Sequence, residues 1–307
     1  MTSHAESRLA QLLGHGVFAV TAEVVPPRSG DPDSVTHQAR SVVGYADAVN
    51  VTDNPTASAH MSPLAGAAFV ASAGLEPILQ MTCRDRNRLG LESDLMGAWA
   101  LGARNLLALT GDPAESGDEP DTAGVYDLQV QDLVRLAVAL RDEGRLPSGR
   151  EVESPPRYFI GAADSPLADG YGFERLEQKI EAGADFVQTQ MVFDVDAFTA
   201  WTTRAAARGL LERVSILPGI GVVRSVKALE YVHDHLPGVL VPDAIFARMR
   251  EAGEHAESEG IRVAVELVAR LKAIPGIAGV HLMGMGNLEG VRRVVQGAGL
   301  LPRPALP

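Results

Sequence analysis

Glu23 is the residue in this sequence best placed to do chemistry. It lies near the end of an otherwise apolar run, Val17–Val24, and is followed at once by Val24, Val25 and the loop Pro26-Pro27-Arg28. A carboxyl group in such surroundings is partly desolvated, which favours its protonated form and raises its pKa. Near pH 7 it could then donate a proton. The competing reading is a structural ion pair with Arg28 or another arginine.

Polar residues recur at the ends of other apolar runs: Asn50 and Thr52, Gln80 and Thr82, Asp112, Asp164 and Ser165, and Gln190. Taken singly, Thr and Asn at such positions often only satisfy loop backbone. Taken together, they predict groups converging on one rim. Asp112 sits in Leu-Thr-Gly-Asp-Pro, where Gly111 permits an unusual turn and Pro113 stiffens the exit; an N-cap or turn-forming role is the alternative. Gln190 offers an amide that donates and accepts at once, suiting the edge of a planar heterocycle or, alternatively, buried backbone. In Cys83-Arg84-Asp85-Arg86-Asn87-Arg88, three arginines could hold a phosphate or a ligand carboxylate, or could pair with Asp85 and Glu92. Cys83 reads as packing, with no His near it in sequence.

Other signatures are missing. No GxGxxG follows the first run and no Walker-A motif is present, leaving Gly284–Gly286 as a weak phosphate-loop candidate. The eight His residues are scattered, with His233 and His235 in a loop-like stretch and His281 reading as a satisfied core histidine, so no metal is predicted.

The elements that must position these residues are legible as buried strands: Val17–Val24, Ala46–Thr52, Glu76–Thr82, Arg104–Thr110, Arg157–Ala163, Asp185–Gln190, Arg213–Pro218 and Gly279–Met283. Amphipathic segments alternate with them, among them Leu91–Leu101, Tyr126–Arg141, Gly172–Ala182 and Val195–Ala207, with room for two or three helices between Pro218 and Gly279. Gly102–Ala103 and Ala182–Ala184 read as helix C-caps. Some eight strand–helix repeats predict an α/β fold, a (β/α)8 TIM barrel, over a doubly wound sheet. A single domain, 1–307, with short flexible extensions at both ends is expected.

A net charge of −12 argues against nucleic acid or an anionic membrane surface as partner. One cysteine excludes an internal disulfide, and no signal peptide or membrane-length apolar run is legible, so a soluble, cytoplasmic protein is expected. The apolar Ile261–Leu271 segment could pack against another subunit, making a homo-oligomer an open expectation.

Five of these segments together resemble the methylenetetrahydrofolate reductase family. They are Ala22-Glu23-Val24-Val25-Pro26-Pro27-Arg28, Val49-Asn50-Val51-Thr52-Asp53-Asn54, Met81-Thr82 with the Cys83–Arg88 stretch, Ala108-Leu109-Thr110-Gly111-Asp112, and Ala182–Asp194. The resemblance runs from about Phe18 to Gly299. It implies a barrel that reduces the methylene bridge of 5,10-methylenetetrahydrofolate, with Glu23 as the acid that helps open the imidazolidine ring. It implies Asp112, Gln190, Gln80 and Asn287 at the folate, and Thr52, Asp53, Asp164, Lys179 and Arg84 on the cofactor side.

The departures concern FAD. Relatives holding it place Arg where this chain has Thr110 and His where it has Gln80. They carry a Tyr and His segment where it reads Gly161-Ala162-Ala163-Asp164-Ser165-Pro166, and Asn where it has Arg175. The expectation is a flavin-independent branch in which NADH (or NADPH) passes hydride directly to the folate. An FAD-dependent reductase, a folate-binding methyltransferase-type barrel and a non-catalytic folate-binding barrel are the alternatives.

Overall fold

The computed structural model describes residues 6–305. A short helix, α1 (Arg8–Gly14), precedes the first strand, β1 (Ala19–Val24). Then follow α2 (Pro32–Ser41), β2 (Ala48–Val51), α3 (Pro63–Ser72), β3 (Pro77–Thr82), α4 (Arg88–Ala100) and β4 (Asn105–Leu109). The middle of the chain gives α5 (Val130–Val138), β5 (Phe159–Asp164), α6 (Glu174–Glu181), β6 (Phe186–Met191), α7 (Val195–Ala207) and β7 (Ser215–Gly221). Three helices, α8 (Val226–His235), α9 (Asp243–Glu251) and α10 (Ala256–Lys272), lead to β8 (Gly279–Met283) and α11 (Leu288–Gly297). All eight strands pair in parallel and β8 pairs back onto β1, so the sheet is a closed barrel rather than an open doubly wound sheet.

Local chemistry sets the boundaries. Asp194 caps α7 by accepting from the Ala197 N–H at 2.9 Å, and Val195, Phe198, Trp201, Thr202 and Ala205 bury one face at helical spacing. Helix α5 starts at Val130, later than the apolar pattern from Tyr126 suggests, because Gln129 and Asp132 form a capping box there. Tyr126 itself has a left-handed φ of 44°. His233 and His235, expected in a loop, occupy the last turn of α8.

Alternate side chains of each strand point into the barrel. The lower interior is apolar: Ala19, Ala48, Ile78, Leu107, Phe159, Phe186 and Leu217 pack together, with Leu9 and Ala10 of α1 closing it from below. Phe159 and Phe186 stack at 5.0 Å between ring centroids. Gly161 is required here, since a Cβ on it would meet Phe186 Cζ at 2.3 Å.

Both extensions were expected to be loose, and the described part of each is tied down. Glu76 accepts from the backbone N–H groups of Arg8 and Leu9, at 2.6 and 3.0 Å, placing an acid at the start of α1. In the tail, Arg303 Nη2 donates to the buried Asp47 carboxylate at 2.6 Å and to Phe18 O at 2.9 Å. The apolar residues of Ile261–Leu271 face the barrel: Val263, Ala264, Leu267, Val268 and Leu271 are buried in the main core. Val265 stays half-buried at a surface groove that it lines with Ile261, Arg293 and Gln296.

Candidate active site

Above the apolar plug the inward positions turn polar. Thr21 and Glu23 in β1, Asn50 in β2, Gln80 in β3, Gln188 and Gln190 in β6 and His281 in β8 break otherwise apolar strands. Glu23, Asn50, Gln80, Gln188, Gln190 and His281 line one chamber of about 170 Å3, with Leu107, Leu109, Ala163 and Met283 as its apolar walls. The β6–β7 register shifts between Gln188 and Met191, a local irregularity at the strand's C-terminal end that turns both Thr189 and Gln190 towards the chamber.

Glu23 keeps a little surface facing this chamber and is otherwise enclosed. Burial pushes its carboxyl up from 4.5 to about 7. No residue offsets that shift. Arg28, the expected ion-pair partner, instead reaches Asp118 at 3.2 Å in the open, and no described residue donates to the Glu23 carboxyl. A desolvated, unpartnered acid is half protonated near neutral pH, the condition for a general acid.

Several other polar atoms around the chamber are unspent. Neither end of the Gln80 amide has a partner among the described residues, and the Gln190 amide uses only its oxygen, accepting from Met191 N–H at 2.9 Å. Enclosed polar groups are normally satisfied by the protein, so a cluster of unsatisfied ones facing a cavity implies a ligand or water.

Beneath them runs a fully paired set. Asn50 Nδ2 donates to Gln188 Oε1 at 2.6 Å, Gln188 Nε2 donates back to Asn50 Oδ1 at 3.1 Å, and also to Thr21 Oγ1 at 3.1 Å. His281, expected as a satisfied core histidine, does meet Thr21 through Nδ1 at 3.0 Å, yet its ring also borders the chamber.

Asp164 separates the chamber from an outer cleft of about 490 Å3 beside α6. Its carboxylate accepts from Lys179 Nζ at 2.9 Å and from the Tyr171 hydroxyl at 2.8 Å. Burial, reinforced by Asp164, pushes the Tyr171 phenol well above its usual range. The cleft is also lined by Asp169, Glu174 and Arg175.

The remaining residues of the expected site are not brought to the chamber. Asp112 is exposed, and its carboxylate accepts from Thr56 N–H at 2.8 Å, so it latches two rim loops together. The preceding Gly111 has φ 92°, and a Cβ there would meet Arg84 Cβ at 2.9 Å. Arg84 is 4% exposed and largely taken up by neighbouring loops. It donates to Asp85 at 2.6 and 2.7 Å, to Asp112 O at 2.9 Å and to Asn54 O at 3.2 Å, which uses four of its five N–H donors. Asp53 is buried, accepting from Thr82 N–H and Oγ1 and from Arg86. Thr52 is buried beside it with its Oγ1 unpaired, away from the chamber walls. Asn287 caps α11 through Gly290 N–H and donates to Glu257 at 3.0 Å, facing a groove with α2.

Thr21, Gln188 and His281 were not picked out as site residues. Their signal was parity: Thr21 stands two before Glu23 and Gln188 two before Gln190, so each pair shares the inward face.

Residues 8–299 match the methylenetetrahydrofolate reductase family. Among curated relatives, the chain is 26% identical over 250 residues to methylenetetrahydrofolate reductase 1 of Schizosaccharomyces pombe, covering 76% of this chain and 37% of that protein. It is 28% identical over 219 residues to the 5,10-methylenetetrahydrofolate reductase of Pectobacterium carotovorum, covering 70% of this chain and 67% of the relative. The chain thus spans well under half the length of the fission-yeast protein. Among solved structures, an uncharacterized protein from Clostridium thermocellum that binds two copies of 5-methyl-5,6,7,8-tetrahydrofolic acid shares the fold. Its TM-score is 0.64 at 12% identity, covering 96% of this chain and 99% of that one.

Proposed function

This chain belongs to the methylenetetrahydrofolate reductase family, and we propose that it reduces 5,10-methylenetetrahydrofolate to 5-methyltetrahydrofolate with hydride taken directly from NADH. The observation that carries this reading is Glu23: a carboxyl raised to about 7 by burial, without a partner, in a chamber that also holds the free amide groups of Gln80 and Gln190.

Opening the imidazolidine ring to an N5 iminium breaks the bond to N10, and that nitrogen needs a proton as it leaves. Glu23 supplies it in the neutral form and regains it from water. Gln80 and Gln190 hold free amide donors that can fix the pterin plane, so that the iminium carbon meets the hydride in line. The nicotinamide supplies that hydride, and the proton and hydride together account for the reduction. A chamber of about 170 Å3 is small against the roughly 300–1,000 Å3 of most ligand sites. The adjoining cleft would accept the rest of the ligands.

The donor set is a poor fit to a resident flavin. Three carboxylates, Asp164, Asp169 and Glu174, line the outer cleft, and of its two cations Lys179 is spent on Asp164 and Ala163 O. Arg84 is closed off, and the inward positions of β5, Gly161 and Ala163, bear no donor. A tightly held dinucleotide needs several such donors, whereas a co-substrate that comes and goes needs few. The buried Cys83, its thiol pushed up to about 12 mainly by burial, is consistent with the reducing cytoplasm we assign to the protein.

The test is the visible spectrum of the purified protein together with folate-dependent NADH oxidation. Turnover by protein free of flavin absorbance is expected. Stoichiometric flavin, with activity lost on its removal, would overturn direct transfer.

A further inference from the structure

The chamber floor holds one group that this chemistry leaves unused. His281 is 2% exposed, and its Nδ1 lies 3.0 Å from Thr21 Oγ1. That hydroxyl oxygen already accepts from Gln188 Nε2, and Gln188 is oriented by its two hydrogen bonds with Asn50. Both Gln188 amide protons are therefore spent, and the Thr21 proton is left to donate. Its nearer acceptor is His281 Nδ1; Val280 O lies farther off, at 3.4 Å. A neutral imidazole that accepts at Nδ1 carries its proton on Nε2.

Burial pushes the His281 pKa down to about 3, so the ring stays neutral at working pH. The ionisable acids lining the same chamber are Glu23, half protonated near neutrality, and Asp164, which Lys179 holds. No unpaired cation faces the ring from the chamber walls. Nε2 has no hydrogen-bond partner among the described residues, and it is not among the polar atoms sealed from solvent without one. Its proton is available to whatever occupies the chamber.

We propose that His281 is a ligand-binding residue, locked as the Nε2–H tautomer by the Asn50–Gln188–Thr21 chain, which donates a hydrogen bond to an acceptor on the planar heterocycle held against Glu23. This deepens the reductase reading and rests on it only for the identity of the heterocycle. The chain of amides supplies order, since a histidine beside a freely rotating hydroxyl would exchange between tautomers. Reversing both amides would send the Thr21 proton to Gln188 and place the imidazole proton on Nδ1, which is the outcome the test separates.

The experiment labels the whole protein with 15N-histidine and records two-bond 1H–15N spectra between about pH 5 and 9, the range in which an ordinary histidine changes charge. The His281→Gln variant assigns the signal. The expected result is a bare Nδ1, a protonated Nε2 and no titration; Thr21→Val loses this single pattern and Thr21→Ser keeps it. Binding of 5-methyltetrahydrofolate and of NAD+ is measured in parallel, and His281→Phe should weaken one of them about tenfold, the loss of one hydrogen bond. A proton on Nδ1, titration within the range, an unchanged pattern in Thr21→Val, or unchanged binding of both ligands to His281→Phe would overturn the proposal. If the reductase reading alone fails, the parent shows no folate-dependent NADH oxidation while the tautomer and the binding result stand.

Discussion

Asn50 and Gln188 exchange two hydrogen bonds through the barrel interior, at 2.6 and 3.1 Å. They come from β2 and β6, which stand on opposite sides of the closed ring of eight strands. The pair sits directly beneath a chamber of unspent polar groups and separates it from the apolar plug around Phe159 and Phe186. Each amide is almost wholly buried and relies on the other.

Removing one partner strands the other. Gln188→Leu or Asn50→Leu should each cost roughly 1–3 kcal/mol, the penalty for a buried polar group without a partner. The double variant should cost clearly less than the sum of the singles, because no orphan remains. Urea unfolding of the four proteins measures this; strictly additive losses would mean that the pair is not coupled.

Glu23 should weaken the fold it serves. Its folded pKa of about 7 exceeds the ordinary 4.5, so between these values the native state binds more protons than the unfolded chain. Stability contributed by this group therefore falls as pH rises through that window, reaching a penalty of up to about 3 kcal/mol above pH 7. Glu23→Gln should melt higher than the parent at pH 8, with the advantage gone below about pH 4.5. An advantage independent of pH would show that the carboxyl is not raised.

Arg84 ties three loop segments together in this fold. Arg84→Ala removes a buried guanidinium that pairs with the exposed Asp85 and releases two loop carbonyls. A loss of about 1–3 kcal/mol is expected from the unmet loop carbonyls, and Arg84→Lys should also destabilise, because a single ammonium cannot replace the fork. Thermal melts combined with the KM for NADH decide the matter. A raised KM in a variant of unchanged stability would return Arg84 to the ligand.

The C-terminal tail should matter for the same reason. Asp47 is buried, holds Val20 N–H at 2.8 Å and takes its main charge partner from Arg303 at 2.6 Å, with Arg8 farther off at 3.5 Å. Arg303→Ala should cost about 3 kcal/mol and expose the tail to limited proteolysis; unchanged stability would mean that the contact is incidental.

The barrel was legible because its strands are short, nearly continuous apolar runs, and each predicted run overlaps an observed strand. Glu23, Gln80 and Gln190 were legible as polar breaks near the C-terminal ends of such runs. For Arg84, Asp53 and Asp112 the sequence shows that a charge lies at a rim, not which neighbouring loop it bonds to. Here Asp53 is taken by Thr82 and Arg86, and Asp112 by the backbone of Thr56. His281 carried a signal that pointed inward but could not tell a packed interior from a chamber wall.

The most direct test of Glu23 as the acid is kcat/KM for folate-dependent NADH oxidation, measured against pH in flavin-free protein and in Glu23→Gln. The parent should be fully active below about pH 7 and lose activity tenfold per pH unit above it, as the acid form disappears. Glu23→Gln should fall by at least roughly a hundredfold, the usual contribution of a positioned general acid, with no limb near neutrality. Full turnover in Glu23→Gln, with the same pH limb as the parent, would contradict the account.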